Sequence, residues 1–353
     1  LRFGSIGRKG AASALALALS AAASLSACDW EGGDGRAAAG ERPGHLATLP
    51  DGRRLNFHCT GRGTPLVLLE AGYGGGVGSW AMVQPEIARF TRVCAYDRAG
   101  TGFSDPGPLP RDGAAIARDL DQALDAAGMY GPFVLVGHSA GALYARLFAA
   151  RRPGEVQGLV FADPTVERVA PSPAADGLQR IRQGVRRCLS LAEEAPAPPA
   201  TDPRWSGCSS APGPDRRPWP AEAWRNRLSE LDSIYGPTSA QVFRTRGVLG
   251  DVPAYILTAS ETAVTAPTLG YGQTQSVWEL QHVRMALDFG PGHQQTVLSA
   301  HRMPTDRPDA IVEAARSMVM AARAGTPPPP LPPSELAQPP VEESFGSGSQ
   351  ETP

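Results

Sequence analysis

The stretch "FVLVGHSAGALYARLFAARRP", residues 133–153, constrains the fold more than any other part of the chain. Its first four residues form an apolar run suited to a strand covered on both faces, and an alanine-rich helical run follows from Ala142. Between them, "GHSAG" must turn the chain from extended to helical within a few residues, with Ser139 at the apex. A turn that sharp is strained. The positions two residues before and after the serine approach neighbouring backbone too closely to carry side chains, which gives Gly137 and Gly141 a steric reason. The helix N-terminus behind Ser139 also favours negative charge developing at its hydroxyl. A serine presented this way is a candidate nucleophile.

The rest of the chain supplies the setting such a turn needs. "GHLATLPDGRRLNFHCTG" reads as a hairpin turning at Asp51 and Gly52. "PLVLLEAG" and "TRVCAYDRAG" read as buried strands, and "DGAAIARDLDQALDAAG" as a helix closed by Gly128. "VQGLVFADP", "DVPAYILTASET" and "HQQTVLSA" continue the strand pattern, with helices over "TQSVWELQHVRMALDFG" and "DAIVEAARSMVMAARAG". Strands alternating with helices imply an α/β fold with a mostly parallel central sheet flanked by helices, its functional loops at the carboxyl ends of the strands. The regularity fails over residues 165–250, where "EEAPAPPATDPRWSGCSSAPGPDRRPWP" is too rich in proline for a sheet strand or long helix. Residues 44–164 and 251–324 are therefore expected to form the core. Residues 165–250 are expected to be a cap insertion over the carboxyl edge, with a short helix near "AEAWRNRLSELDSIYG".

Both ends fall outside that core. Residues 1–27 have a basic start (Arg2, Arg8, Lys9), an Ala/Leu segment and then small residues, the pattern of a secretory signal peptide. The sequence Leu25-Ser26-Ala27-Cys28 resembles the lipobox of bacterial lipoproteins, which implies cleavage before Cys28, lipidation of its thiol and a membrane anchor. Residues 28–43 read as a linker, and 325–353, with the PPPP and GSGS segments, as a disordered tail. A net charge of −2 and no arginine stripe interleaved with aromatics exclude a nucleic-acid footprint, so the expected partner is a small-molecule substrate. No metal cluster or nucleotide loop is visible, and no cofactor is expected. Export would place Cys59, Cys94, Cys188 and Cys208 in an oxidising compartment, where four cysteines allow three pairings.

With "GHSAG", the stretches "CTGRGTPLVLLEAGYGGGVGSW", "RVCAYDRAGTGFSDPGP" and "VQGLVFADPT" resemble the α/β-hydrolase fold enzymes, in particular a bacterial subgroup of secreted or membrane-associated serine hydrolases. The resemblance covers residues 46–324 apart from the insertion. It implies a Ser–acid–His triad in that chain order. The order excludes His45 and His58, while His138 lies inside the turn and His282 within a predicted helix. His293 precedes the last strand and His301 follows it. The family places its base after that strand, and "SAHRMPTDRPDAIVEAAR" resembles its segment, so His301 is preferred. The acid usually follows the strand before the last. There "LTASETAVTAP" has Thr262 where aspartate is expected, beside Glu261. Other members place the acid one strand earlier, and "GLVFADPT" offers Asp163, which is preferred over Glu261. The oxyanion hole falls to the backbone N–H groups of Tyr73 and Ala140.

The resemblance also puts the Cys59 strand beside the Cys94 strand. That pairs these two, and leaves Cys188 with Cys208 inside the insertion. It implies hydrolysis of a small carbonyl substrate, a carboxylic ester by default, through an acyl-enzyme on Ser139. An aminopeptidase, lactonase or carbon–carbon bond hydrolase would use the same residues. A membrane-tethered binding protein without catalysis is the alternative of another class. Epoxide hydrolases and dehalogenases of this fold use aspartate where Ser139 stands.

Overall fold

The computed structural model describes residues 42–167, 174–208, 218–265 and 277–332. The signal segment with Cys28, the linker as far as residue 41 and the tail from residue 333 lie outside the described residues. Eight strands run in chain order as β1 His45–Thr48, β2 Arg54–Thr60, β3 Leu66–Glu70, β4 Val93–Tyr96, β5 Phe133–His138, β6 Val156–Ala162, β7 Ala254–Ala259 and β8 Gly292–Val297. They form one sheet in the order β1-β2-β4-β3-β5-β6-β7-β8. The β1–β2 and β2–β4 pairs are antiparallel, and the remaining neighbours are parallel. This is the mostly parallel, helix-flanked sheet expected of an α/β-hydrolase fold.

Ten helices accompany the sheet among the described residues: α1 Gln84–Ala88, α2 Gly113–Ala126, α3 Gly141–Arg151, α4 Ala174–Ala192, α5 Ala221–Ser233, α6 Ser239–Arg244, α7 Ser260–Thr265, α8 Val277–Ala286, α9 Met303–Asp306 and α10 Pro308–Ala324. The unbroken apolar runs in the central strands follow from burial on both faces. Leu66, Leu68 and Leu135 share one core with Leu120 of α2 and Leu143 and Phe148 of α3. Their neighbours Val67, Leu69, Val134 and Val136 point the other way, into a second core with Ile87 of α1 and Ile311 and Met318 of α10. Asp112 caps α2 through its side chain, and Gly128 just beyond has a φ of 63°.

Strand order changes direction around β3, since β4 lies on one side of it and β5 on the other. A crevice opens at such a switch point, beyond the carboxyl ends of the strands. Register brings Glu70 opposite Gly137 and His138 opposite Ala162. The loops leaving β3, β5 and β6 therefore emerge side by side.

Cys59 and Cys94 are partners in the β2–β4 register with Cα atoms 4.1 Å apart, and they form one disulfide; Cys188 and Cys208 form the other. The second joins α4 to the turn after Trp205 and closes a small core of Val185, Trp219, Ala223 and Trp224. The insertion is more helical than its proline content implies, because α4 precedes the proline-rich run and carries Ile181, Val185 and Cys188 at helical spacing. Its later part also packs on the core. Thr238 and Gln241 accept hydrogen bonds from the Gly113 and Ala114 N–H groups, supplementing the cap on α2.

The proline-rich tail departs from expectation over its first residues. Beyond Gly325, which ends α10 with a φ of 62°, residues 326–332 lie against β7 and β8. Tyr255 donates to the Pro329 carbonyl, the His293 ring bonds the Pro328 carbonyl at 3.2 Å, and Leu331 is buried in the second core. A proline run needs no partner for N–H groups it lacks, and its carbonyls and side chains remain free to dock.

Candidate active site

Ser139 follows β5 directly and has a φ of 51°, a left-handed conformation unusual for any residue but glycine. Three backbone hydrogen bonds hold it there: its N–H donates to the Ala162 carbonyl, and its own carbonyl accepts from Ala142 and Thr165. The glycines on either side meet the crowding expected of them. A Cβ at Gly137 would lie 2.9 Å from the Ala142 backbone, and one at Gly141 would lie 2.2 Å from the Glu70 carbonyl oxygen.

His301 stands four residues beyond the end of β8, ahead of α9. Its Nε2 is 3.0 Å from Ser139 Oγ and its Nδ1 is 2.6 Å from Asp163 Oδ2. Asp163 follows β6, also in a left-handed conformation with a φ of 43°, and its side chain is wholly buried. The structure thus brings Ser139, His301 and Asp163 into one hydrogen-bonded chain. Burial by itself would raise the Asp163 carboxyl. The hydrogen bond and charge of His301, with a further hydrogen bond from Trp278, outweigh it and hold the group below the usual aspartate range. An ionised carboxylate only accepts, so the proton sits on His301 Nδ1 and the Nε2 lone pair faces the serine hydroxyl. That arrangement can take the proton of Ser139 and stabilise the imidazolium that results.

The other Asp163 oxygen is also satisfied: Oδ1 accepts from the Ala259 N–H at 3.1 Å and from Trp278 Nε1 at 2.8 Å. Trp278 was not among the residues expected from sequence. A tryptophan near the start of a helix carries no local mark of this role, because only the packing of α8 beside β7 brings its indole to the acid.

Beside the serine runs the loop after β3. A Cβ at Gly72 would lie 3.2 Å from Ser139 Cβ and 2.9 Å from His138 Nδ1. Among the described residues, neither the Tyr73 nor the Ala140 N–H is engaged by another group. Ala140 precedes the first turn of α3, where N–H groups are free of intrahelical partners.

The remaining histidines separate clearly. His138 bonds the His301 carbonyl through Nε2 at 2.7 Å, and burial, with His301 nearby, pushes its pKa down to about 4. The neutral ring then donates to that carbonyl and braces the segment carrying His301. His282 is buried between Thr258 and the Pro164 carbonyl, a structural position. His293 lies at the amino end of β8, packed on Tyr255. Glu261 lies on α7, and its N–H bonds the Ser299 carbonyl. Asp97 and Asp105 are taken up by structural contacts, with Val77, Asn56 and Phe103 and with Arg54 respectively. Among the described residues no group of three His, Cys, Asp or Glu side chains could hold a metal ion, and no helix is long and apolar enough to cross a membrane.

A protein of Klebsiella pneumoniae, named provisionally as carbamate hydrolase RutD, is 43% identical over 101 residues, 28% of this chain and 37% of that one. The chain spans less than half the length of the curated relatives it matches. A thermophilic esterase from Thermogutta terrifontis superposes with a TM-score of 0.54 at 20% identity, over 79% of this chain and 98% of that one. The enol-lactonase of Burkholderia xenovorans LB400 does so with a TM-score of 0.54 at 16% identity, over 78% and 100%. At such identities the structures share a fold and no more. Residues 65–293, from the start of β3 into β8, match the alpha/beta hydrolase fold family, and the chain belongs to it.

Proposed function

We propose that this protein is a serine hydrolase that cleaves a small carboxylic ester through an acyl-enzyme on Ser139. The observation that carries this reading is the chain Asp163–His301–Ser139, with hydrogen bonds of 2.6 and 3.0 Å ending on a serine in a strained turn. Ser139 Oγ attacks the substrate carbonyl as His301 Nε2 takes its proton, and Asp163 stabilises the imidazolium. The Tyr73 and Ala140 N–H groups receive the oxyanion. His301 returns the proton to the leaving alcohol, and water then repeats the sequence to release the acid. The provisional name of the Klebsiella relative, a carbamate hydrolase, agrees with a reaction at an acyl carbonyl. A serine nucleophile sets the chain apart from relatives that attack with aspartate.

In the same proposal the enzyme is exported and held at a membrane by lipid on Cys28. The lipobox-like "LSAC" supports this, and so does pairing of the other four cysteines in disulfides, a state favoured outside the reducing cytosol. Labelling with a fluorophosphonate tests the catalytic reading: Ser139 should be the modified residue, and folded protein left unlabelled would refute it. A series of p-nitrophenyl esters of increasing acyl length then defines the substrate class.

A further inference from the structure

Beneath the loop after β3 lies a cluster of buried charges that the three reacting residues do not use. Arg98, two residues past β4, donates from Nη1 to Glu70 Oε1 at 2.8 Å and to the Ala71 carbonyl at 2.7 Å. From Nη2 it donates to the Gly72 carbonyl at 2.7 Å and to Glu230 Oε1 at 2.9 Å. Glu70 ends β3, whereas Glu230 comes from α5 of the insertion. Tyr96 donates to Glu70, and Tyr144 donates to Glu230 at 3.2 Å. The charged side chains are 2–5% exposed. Burial pushes the Glu70 carboxyl up to about 7 even with Arg98 and Tyr96 pulling it down.

Taking three charges out of water is costly, and apolar side chains would fill the space without that cost. What they could not do is bind two successive main-chain carbonyls. The Gly72–Tyr73 peptide is not among the cis bonds, and in a trans peptide the carbonyl and the N–H point to opposite sides. The Gly72 carbonyl, which also accepts from the Gly75 N–H at 3.1 Å, is held on the Arg98 side, and the Tyr73 N–H is therefore turned away from Arg98. The same peptide runs beside the serine, since a Cβ at Gly72 would lie 3.2 Å from Ser139 Cβ. We infer that Arg98 is a positioning residue for the oxyanion donor Tyr73, and that Glu230 fixes Arg98 from the insertion, so that seating of the insertion on the core sets the strength of the oxyanion hole. The inference rests on the serine-hydrolase reading above.

The test compares Arg98→Met and Glu230→Gln with the wild type, using p-nitrophenyl acetate turnover and inhibition by phenylboronic acid, whose serine adduct places an oxygen in the oxyanion position. Arg146→Met, which breaks the equally buried Arg146–Glu167 pair elsewhere, is the structural control. Folding is checked for each by circular dichroism. Arg98→Met should lower kcat by about 10²-fold, in the range for loss of one oxyanion donor, with KM within about threefold and the boronate bound at least tenfold more weakly. Glu230→Gln should lower kcat about tenfold, and the control should keep its kcat. If Arg98→Met does not fold, Glu230→Gln decides alone. Folded variants with unchanged kcat, an effect on KM only, or an equal kcat loss in Arg146→Met overturn the inference while leaving the catalytic reading intact. A wild type that fluorophosphonate does not label overturns both.

Discussion

Ser139 and Asp163 are residues other than glycine held at positive φ, each costing on the order of 1–2 kcal/mol. Both are tied by backbone hydrogen bonds to a neighbouring strand end, Ser139 to Ala162 and Asp163 to Leu257. Asparagine tolerates this conformation, so Asp163→Asn removes the charge while keeping the turn. It should lower ester turnover about 10³–10⁴-fold, as expected when the base loses its orienting carboxylate, with only a small change in melting temperature. Glu261→Gln should retain turnover within about twofold, since Asp163 already occupies the Nδ1 side of His301. His138 makes a separate prediction. Its pKa falls from the ordinary value of 6.5 to about 4 on folding, so between those values the unfolded chain binds more protons. Its contribution is thus a stability that rises with pH through this window and is lost as the pH drops towards 4. Glu70, raised to about 7, has the opposite slope and masks part of it. His138→Gln keeps an N–H donor for the His301 carbonyl. Its urea midpoint should gain less than that of the wild type between pH 4.5 and 6.5, and an unchanged difference would show that the His138 ring does not titrate in this way.

Two elements outside the Ser139–His301–Asp163 chain have measurable consequences. Helix α8 delivers Trp278 Nε1 to the acid, so Trp278→Phe keeps the aromatic bulk and leaves Asp163 Oδ1 with the Ala259 N–H alone. Loss of a hydrogen bond to a charged group is worth about 1.5–3 kcal/mol, and part of it should appear as a roughly tenfold fall in kcat with little change in KM. Residues 326–332 behave as a strap on the sheet. Ending the chain at Gly325 exposes the Leu331 site and removes the carbonyl partners of Tyr255 and His293. Thermal unfolding should then show a loss of about 2–4 kcal/mol, from one buried leucine and the lost hydrogen bonds. Activity of the folded fraction should stay within twofold, because the strap lies by the amino-end residue His293 of β8 whereas His301 follows its carboxyl end.

For the whole molecule, the proposed anchor predicts that protein expressed from the full sequence partitions into the detergent phase of a Triton X-114 separation, and that Cys28→Ala moves it to the aqueous phase. Partitioning that ignores the substitution would count against lipidation at this residue. The fold was legible because it rests on local signals: apolar runs of strand length, helical periodicity and a glycine-flanked serine where one becomes the other. The position of His301, the proposed base, followed from the resemblance of its segment between the last strand and the last helix, and its Nε2 lies 3.0 Å from Ser139 Oγ. Trp278, the Arg98 cluster and the seating of the tail were not legible, because each depends on which loops the strand order makes neighbours. Helix α4 was hidden by the proline-rich run that follows it, although its own periodicity was present. Sequence alone determined that Ser139 would stand at a strained turn, since only backbone sterics are involved. The choice between Asp163 and Glu261 for the far side of His301 was decided by tertiary structure, because a hydrogen bond between residues 138 positions apart exists only once β6 and β8 flank β7.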